Sequence, residues 1–310
     1  YEDGGLGLLK THYYGGIKKY QWTCLPLALH GIAYREDGSE VQINIGDAAD
    51  DPVFYITDLL PHLGKDQNAK TLAEGVNGEQ LNAVCGLEPQ LTADDAELKE
   101  PVKAKLLSLL HDRYGLVEKD LLLAELELVP AGQAREVGLD RALIAAHGHD
   151  DRSCAFAAVD GLLNLPKPPT RWAAALLVDK EEIGSVGNTS MGAIFFENAL
   201  AELLHLNGEG ELALRRTLSG SRVLSGDVTA ALDPSFPDVM DKRTRPSSAR
   251  AFPSTSTPAP AGKVAPTMPM LNSYKKFAVF LTTTMCFGKW ANWARSVSYT
   301  HLTLPTTPYV

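Results

Sequence analysis

Acidic side chains punctuate the sequence at three points where a polar loop meets an apolar stretch. They are Asp150 in Gly148-His149-Asp150-Asp151, the pair Glu181-Glu182 in Asp179-Lys180-Glu181-Glu182, and Asp227 in Leu224-Ser225-Gly226-Asp227. Carboxylates and imidazoles are the ligands that hard and borderline divalent metals take. Two metals roughly 3.5–4 Å apart need a carboxylate that bridges them and another that activates water. Adjacent glutamates at a strand end can divide such work, one binding metal and its neighbour accepting a proton. Spacing alone does not establish this. A Glu-Glu pair is most often a solvated surface step, and an aspartate before a helix is most often an N-cap.

The elements that must position these residues are legible in outline. Residues 173–178 (AAALLV) form a continuous apolar run, as expected for a buried parallel strand. A Gly/Ser/Asn loop follows over 184–190, then a helix over about 191–206. Strand, polar loop and helix make an α/β unit, in which ligands sit at the carboxyl ends of strands. Gly148-His149-Asp150-Asp151 precedes a second predicted helix, 152–164, built from Cys154, Ala155, Ala158 and Leu162. Upstream, 25–34 and 41–45 read as strands joined by a turn at Glu36-Asp37-Gly38. Residues 53–63 are apolar and end at Pro61-His62-Leu63. Residues 101–112 read as a helix that starts at Pro101, and 121–129 as a strand. A β-containing unit is therefore expected over roughly 10–140. The apolar stripes of 101–112 and 191–204 read as core faces. Gly4-Gly5-x-Gly7 lacks the preceding strand of a dinucleotide-binding fingerprint.

The chain has 310 residues and a mass of 33.5 kDa, enough for about two domains. Hydrophobic residues make up 45% and charged residues 22%, an ordinary balance with ample core material. No apolar run approaches the roughly 20 residues that span a bilayer, so no membrane partner is expected. The formal charge of -9 disfavours nucleic acid. Four cysteines without a CxxC pair fit free thiols in a reducing compartment, hence a cytoplasmic protein. No signal peptide is expected ahead of Tyr1.

Six phrases carry a resemblance to a known family. They are KTHYYGGIKKYQW (10–22), DPVFYITDLLPHLGKDQ (51–67), VPAGQAREVGLDR (129–141), GHDDRSCA (148–155), LLVDKEEIGSVGN (176–188) and SGDVTAALDPSFPDVMDKR (225–243). From Tyr1 to about Arg243 the chain resembles the M18 family of zinc aminopeptidases, in particular its bacterial branch. The resemblance implies an α/β, mixed-sheet zinc peptidase domain with an inserted β-rich oligomerisation domain. It divides the chain into 1–10, a remnant of the N-terminal part of the peptidase domain; 11–140, the insertion; 141–243, the peptidase core; and 244–310, a tail outside the resemblance. It implies two zinc ions per subunit, a peptide substrate and a homo-oligomer, a dodecamer in relatives. Asp150 matches the bridging aspartate, Glu181 the general base, Glu182 a zinc ligand and Asp227 a further ligand. His62 matches a histidine that reaches a neighbouring subunit's active site, with an ordinary surface histidine as the alternative.

The family also takes zinc-binding histidines from an H-x-D-S-P segment and from near its C-terminus, and neither is present. Three of five ligands are therefore expected here, and the chain as written is expected to be a truncated fragment that binds zinc poorly. Preference for acidic N-terminal residues is linked in relatives to a histidine where this chain has Ala230, so a neutral or broader preference is expected. A non-catalytic oligomerisation or scaffold fragment is the competing reading. His147-Gly148-His149-Asp150-Asp151 also brushes the HxHxDH signature of metallo-β-lactamase-like hydrolases, but Arg152 stands where the final histidine belongs.

Residues 244–310 contain no Asp or Glu and seven Lys or Arg, whereas 1–243 hold all 38 acids and 22 bases. A disordered basic linker is one reading. A shifted reading frame from about residue 244 is the other. Taking each new codon as the last base of one codon plus the first two of the next turns Met268-Pro269 into Ala, Met285-Cys286 into Val and Trp290-Ala291 into Gly. Suitable choices elsewhere convert 287–296 into WQMGELGKV, which resembles the family's downstream sequence. The final SVSYTHLTLPTTPYV (296–310) looks like a translated sequencing adapter. Sequencing the source DNA across codon 244 is expected to reveal a continuing peptidase in the shifted frame; a stop or an unrelated sequence there would remove the idea.

Overall fold

The computed structural model describes residues 1–91, 98–180, 185–226 and 233–239, together with the backbone of the strands Phe280–Thr283 and Leu302–Thr303. The chain divides into two compact units, Tyr1–His147 with Val297–Val310, and Gly148–Ser296.

Unit 1 is built on a nine-stranded sheet. Its elements are β1 (Glu2–Asp3), β2 (Leu6–Lys10), β3 (His12–Tyr13), β4 (Pro26–Tyr34), β5 (Glu40–Ile45), β6 (Phe54–Ile56), α1 (Lys65–Asn68), β7 (Asn82–Gly86), α2 (Pro101–Tyr114) and β8 (Glu125–Pro130), followed by the hairpin β9 (Arg135–Val137) and β10 (Leu143–Ala145). β4 is the spine and pairs antiparallel with β5, β6 and β8. In β5, Val41, Ile43 and Ile45 are buried while Glu40, Gln42 and Asn44 are exposed, the period of two that one buried face demands. In β8, Leu126 and Leu128 point inward and join Leu27, Leu29 and Trp22 in the core. Gly31 lets β8 approach β4 closely: a Cβ there would lie 2.0 Å from the Glu125 carbonyl oxygen.

α2 starts at Pro101 and stops at Gly115, whose left-handed φ of 66° lets its N–H bond the His111 carbonyl. The Glu2 carboxylate accepts the Val102 and Lys103 N–H groups at 2.8 and 3.1 Å, partnering donors the helix start leaves open. Residues 1–10, expected to be a remnant of the peptidase domain, thus help to hold unit 1: β2 pairs with β7, and Glu2 caps α2.

The strand expected over 121–129 begins later. Residues Glu118–Leu123 form a 3-10 turn, held by the buried Asp120 carboxylate accepting the Val117 N–H at 2.9 Å. Three consecutive leucines, 121–123, have no alternation to bind them into a sheet. The turn at 36–38 forms as expected, with Gly38 at φ 82° and Asp37 accepting the Ser39 N–H.

Unit 2 holds α3 (His149–Leu163), β11 (Ala174–Leu177), α4 (Phe195–Leu206), α5 (Leu212–Gly220), β12 (Val223–Gly226) and β13 (Phe280–Thr283). β11 and β12 both run parallel to β13, which lies between them. β13, like β14 (Leu302–Thr303), which pairs with β3 and β8 in unit 1, comes from the acid-free stretch. The helix expected from 191 starts at Phe195, because 190–193 form a turn closed by the Ala193 N–H on the Ser190 carbonyl. Among the described residues, no helix is long and apolar enough to cross a membrane. The described cysteines, Cys24, Cys85 and Cys154, are free thiols, and burial pushes the Cys85 thiol up to about 11.

Leu128 is fully buried against β4, so Leu128→Ala is expected to cost about 2–5 kcal/mol in a urea denaturation. Asp51 accepts the Gly46 and Ala48 N–H groups and pairs with Arg113, which holds its carboxyl below the usual range. A depressed folded pKa gives stability that is present above the unfolded value near 3.9 and is lost as pH falls through the folded one. Asp51→Asn is therefore expected to melt earlier than wild type at pH 7, with the gap closing below about pH 4; a gap that persists in acid would contradict the assignment.

Candidate metal centre

The three acidic points meet the fold in different ways. Glu181, Glu182 and Asp227 lie outside the described residues, so the structure speaks of the segments that lead to them. β11 ends at Leu177, four residues before Glu181, and β12 ends at Gly226, immediately before Asp227. Leu177 and Gly226 both lie opposite Thr283 of β13. Two parallel strands therefore finish at one level of the sheet, separated by two strand spacings, about 10 Å.

Asp150 enters from α3. That helix follows Gly148, whose φ of 82° sets the left-handed turn into it. Asp150 and Asp151 have non-helical backbone angles, and the peptide between them is cis. The Arg152 N–H bonds the Gly148 carbonyl at 3.3 Å, and the Ser153 hydroxyl donates to the His149 carbonyl at 2.8 Å, which ties down the helix start. α3 packs on β11, β12 and β13. Cys154, four residues after Asp150, lies against Gly226: a Cβ on Gly226 would be 3.6 Å from Cys154 Cβ. The start of α3, with half-buried Asp150, is thereby brought to the end of β12, where Asp227 follows.

His62 belongs to unit 1. It sits exposed in a turn closed by the Leu63 and Gly64 N–H groups on the Leu60 carbonyl, and Leu59, Leu60 and Leu63 beside it are 52%, 65% and 70% exposed. Asp58 braces the segment by accepting from Gln67 Nε2 and the Leu59 N–H, both at 2.8 Å. His149, part of the HxHxD reading, is exposed at the first position of α3. Among the described residues no group of three or more His, Cys, Asp or Glu side chains could hold a metal ion.

Sequence reasoning passed over Cys154 and Gly226 as site-builders. Their signal was only size: both are small, and small residues are what a helix lying close on a strand end requires. It also passed over Ser190, the one fully buried polar side chain among the described residues of unit 2, which looked like any serine in a Gly/Ser/Asn loop.

An acid-bearing helix start set against the carboxyl ends of parallel strands defines a class of α/β ligand site. Comparison with known proteins narrows it. A family profile described as "Aminopeptidase I zinc metalloprotease (M18)" matches residues 2–253. A "Probable M18 family aminopeptidase 1" of Clostridium acetobutylicum is 45% identical over 244 residues, covering 78% of this chain and 52% of that protein. One of Thermotoga maritima is 45% identical over 247 residues, covering 79% and 53%. The crystal structure of an M18-family aminopeptidase from Thermotoga maritima matches with a TM-score of 0.69 at 42% identity, over 80% of this chain and 54% of that one. That of aminopeptidase I from Clostridium acetobutylicum matches with a TM-score of 0.68 at 41% identity, over 79% and 52%. The chain belongs to the M18 family of aminopeptidase I zinc metalloproteases, and it spans about half the length of the curated relatives it matches.

Proposed function

We propose that the protein to which this chain belongs is a zinc-dependent aminopeptidase that removes the N-terminal residue of peptides with two zinc ions per subunit. The observation that supports this reading best is the contact of α3 with the end of β12, where Cys154 lies against Gly226. It sets the start of α3, which carries Asp150, beside Gly226, the residue that precedes Asp227 in the sequence. The donor chemistry fits zinc, which accepts carboxylate oxygens alongside imidazole. In this reading Asp150, Glu182 and Asp227 would hold the zinc as carboxylate ligands. Zinc held there supplies a Lewis acid and lowers the pKa of bound water towards about 7.

The chain's own residues do the rest. Glu181 takes the proton of the attacking water and passes it to the leaving amine, so it must stay off the metal and within hydrogen-bond reach of the water. Glu182 stays ionised because a neighbouring cation favours the charged form of a carboxylate. Ala230 offers no charge to an acidic N-terminal side chain, which supports a neutral or broader preference. His62, on its exposed leucine-rich turn, is proposed to reach a neighbouring subunit of a homo-oligomer. The same exposed leucines favour the second reading, an oligomerisation fragment without turnover of its own.

Glu181→Gln is expected to abolish release of an aminoacyl chromophore, a loss of at least about 100-fold, while zinc content measured by atomic emission stays at the wild-type value. Asp150→Ala is expected to lose zinc and turnover together. Full activity in Glu181→Gln would sink the base assignment, and unchanged zinc in Asp150→Ala would sink the ligand assignment.

A further inference from the structure

The chain that leaves β6 (Phe54–Ile56) carries Leu59, Leu60, His62 and Leu63 on the surface of unit 1. Burying a leucine is worth about 1.5–3 kcal/mol, so apolar side chains on a free loop fold back onto the protein body. Here all three leucines stay more than half exposed, and polar contacts hold the loop out. Its base is tied to the stretch before β4. The Cys24 N–H bonds the Ile56 carbonyl at 2.9 Å, and the Tyr55 hydroxyl donates to the Cys24 carbonyl at 2.9 Å. The Asp58 carboxylate then works in two directions. Its Oδ1 accepts the Leu59 N–H and, from the far end of the loop, Gln67 Nε2, both at 2.8 Å. Its Oδ2 faces the Thr23 hydroxyl at 3.5 Å. Gln67 is held in turn within α1, where the Asn68 N–H bonds the Gly64 carbonyl at 2.8 Å. Between Asp58 and Gln67 the chain closes on itself: the Leu63 and Gly64 N–H groups both reach the Leu60 carbonyl at 2.9 Å, and Gly64 is buried.

We propose that Asp58 is a positioning residue for His62. Its carboxylate clasps the two ends of the segment 58–67 and so keeps His62 presented outward among Leu59, Leu60 and Leu63. This role rests on the reading given above in which His62 meets a neighbouring subunit of a homo-oligomer. The loop chemistry suits such an occupant. From Leu59 to Gly64 no Asp, Glu, Lys or Arg occurs, so the imidazole and the leucines face an apolar protein surface better than an anion or a metal ion. Both bonds accepted by Oδ1 begin and end within 58–67. Their loss frees the loop and leaves the pairing of β4 with β5 and β8 intact. A carboxylate that merely stabilised unit 1 would affect the whole sheet.

The test uses the full 310-residue chain and its variants Asp58→Ala, Asp58→Asn and Gln67→Ala. Hydrogen exchange is the deciding readout and needs neither metal nor substrate. In Asp58→Ala, exchange over 58–67 should quicken roughly fivefold, the worth of one hydrogen bond, with β4, β5 and β8 unchanged. Asp58→Asn keeps an Oδ1 acceptor and should restore slow exchange. Gln67→Ala removes the other partner and should reproduce the Asp58→Ala pattern. Sedimentation velocity over a concentration series reads the consequence: self-association should weaken about fivefold in Asp58→Ala and hold in Asp58→Asn. Exchange over 58–67 that stays at the wild-type rate in Asp58→Ala, or that rises equally throughout unit 1, would overturn the proposal. So would an equal loss of self-association in Asp58→Ala and Asp58→Asn. His62→Ala separates this outcome from the parent reading. Self-association unchanged in His62→Ala removes the neighbour contact but leaves the exchange result standing, whereas wild-type exchange in Asp58→Ala removes Asp58's role but leaves the neighbour contact.

Discussion

The closeness of α3 to β12 sets where the start of α3, with Asp150, lies against the sheet. Cys154 lies within van der Waals reach of any Cβ placed on Gly226, so the helix rides low on the strand end. Close-packed interiors transmit such constraints because side chains interdigitate without spare room. A bulkier residue at either position would lift the start of α3 away from the end of β12. The parallel pairing of β11 and β12 with β13 adds a second constraint, since both strands then end opposite Thr283. Helix height and strand level together define one edge from which two acidic segments depart.

The two units manage their apolar surface differently. Unit 1 encloses a core that runs through β4, β5 and β8 and is sealed by Trp22 and Leu116. Unit 2 buries far fewer large side chains among its described residues, chiefly Leu176, Leu200 and Leu204, while Phe156, Leu163 and Leu206 stay exposed. Burial of a leucine or phenylalanine is worth about 1.5–3 kcal/mol, so the stability of the described part rests mainly on unit 1. Polar fastening takes a larger share in unit 2. The hold of Ser190 on Ser185 and Gly187, and of Asp179 on Thr189, does by hydrogen bonding what side-chain packing does in unit 1.

Elements with strong local signatures were legible from the residues alone. The strand over 41–45, the helix that Pro101 opens and the apolar run of 173–178 each follow from nearest-neighbour physics, and the structure places them at 40–45, 101–114 and 174–177. Elements that owe their form to distant partners were not. β2 reads LGLLK and β7 reads NAVCG, neither with a clear period; they are strands because Gly7 and Gly86 let Leu106 of α2 press onto the sheet, where a Cβ would stand 2.4 and 2.7 Å from it. α5 and the β9–β10 hairpin also went unread.

The sequence by itself determined the chemistry on offer: which residues carry carboxylates, that they follow apolar strands or precede a helix, and that the phrases around them are those of M18 peptidases. Residue type and order suffice for this, because ligand chemistry belongs to the side chain. Only the tertiary structure decided that β11 and β12 end at one level of the sheet and that the start of α3 lies by the end of β12. Strand level, the height of α3 and the hold of Ser190 on Ser185 are contacts between residues far apart in sequence or turned back on themselves. No local periodicity encodes such contacts; the packing of each element against the others does.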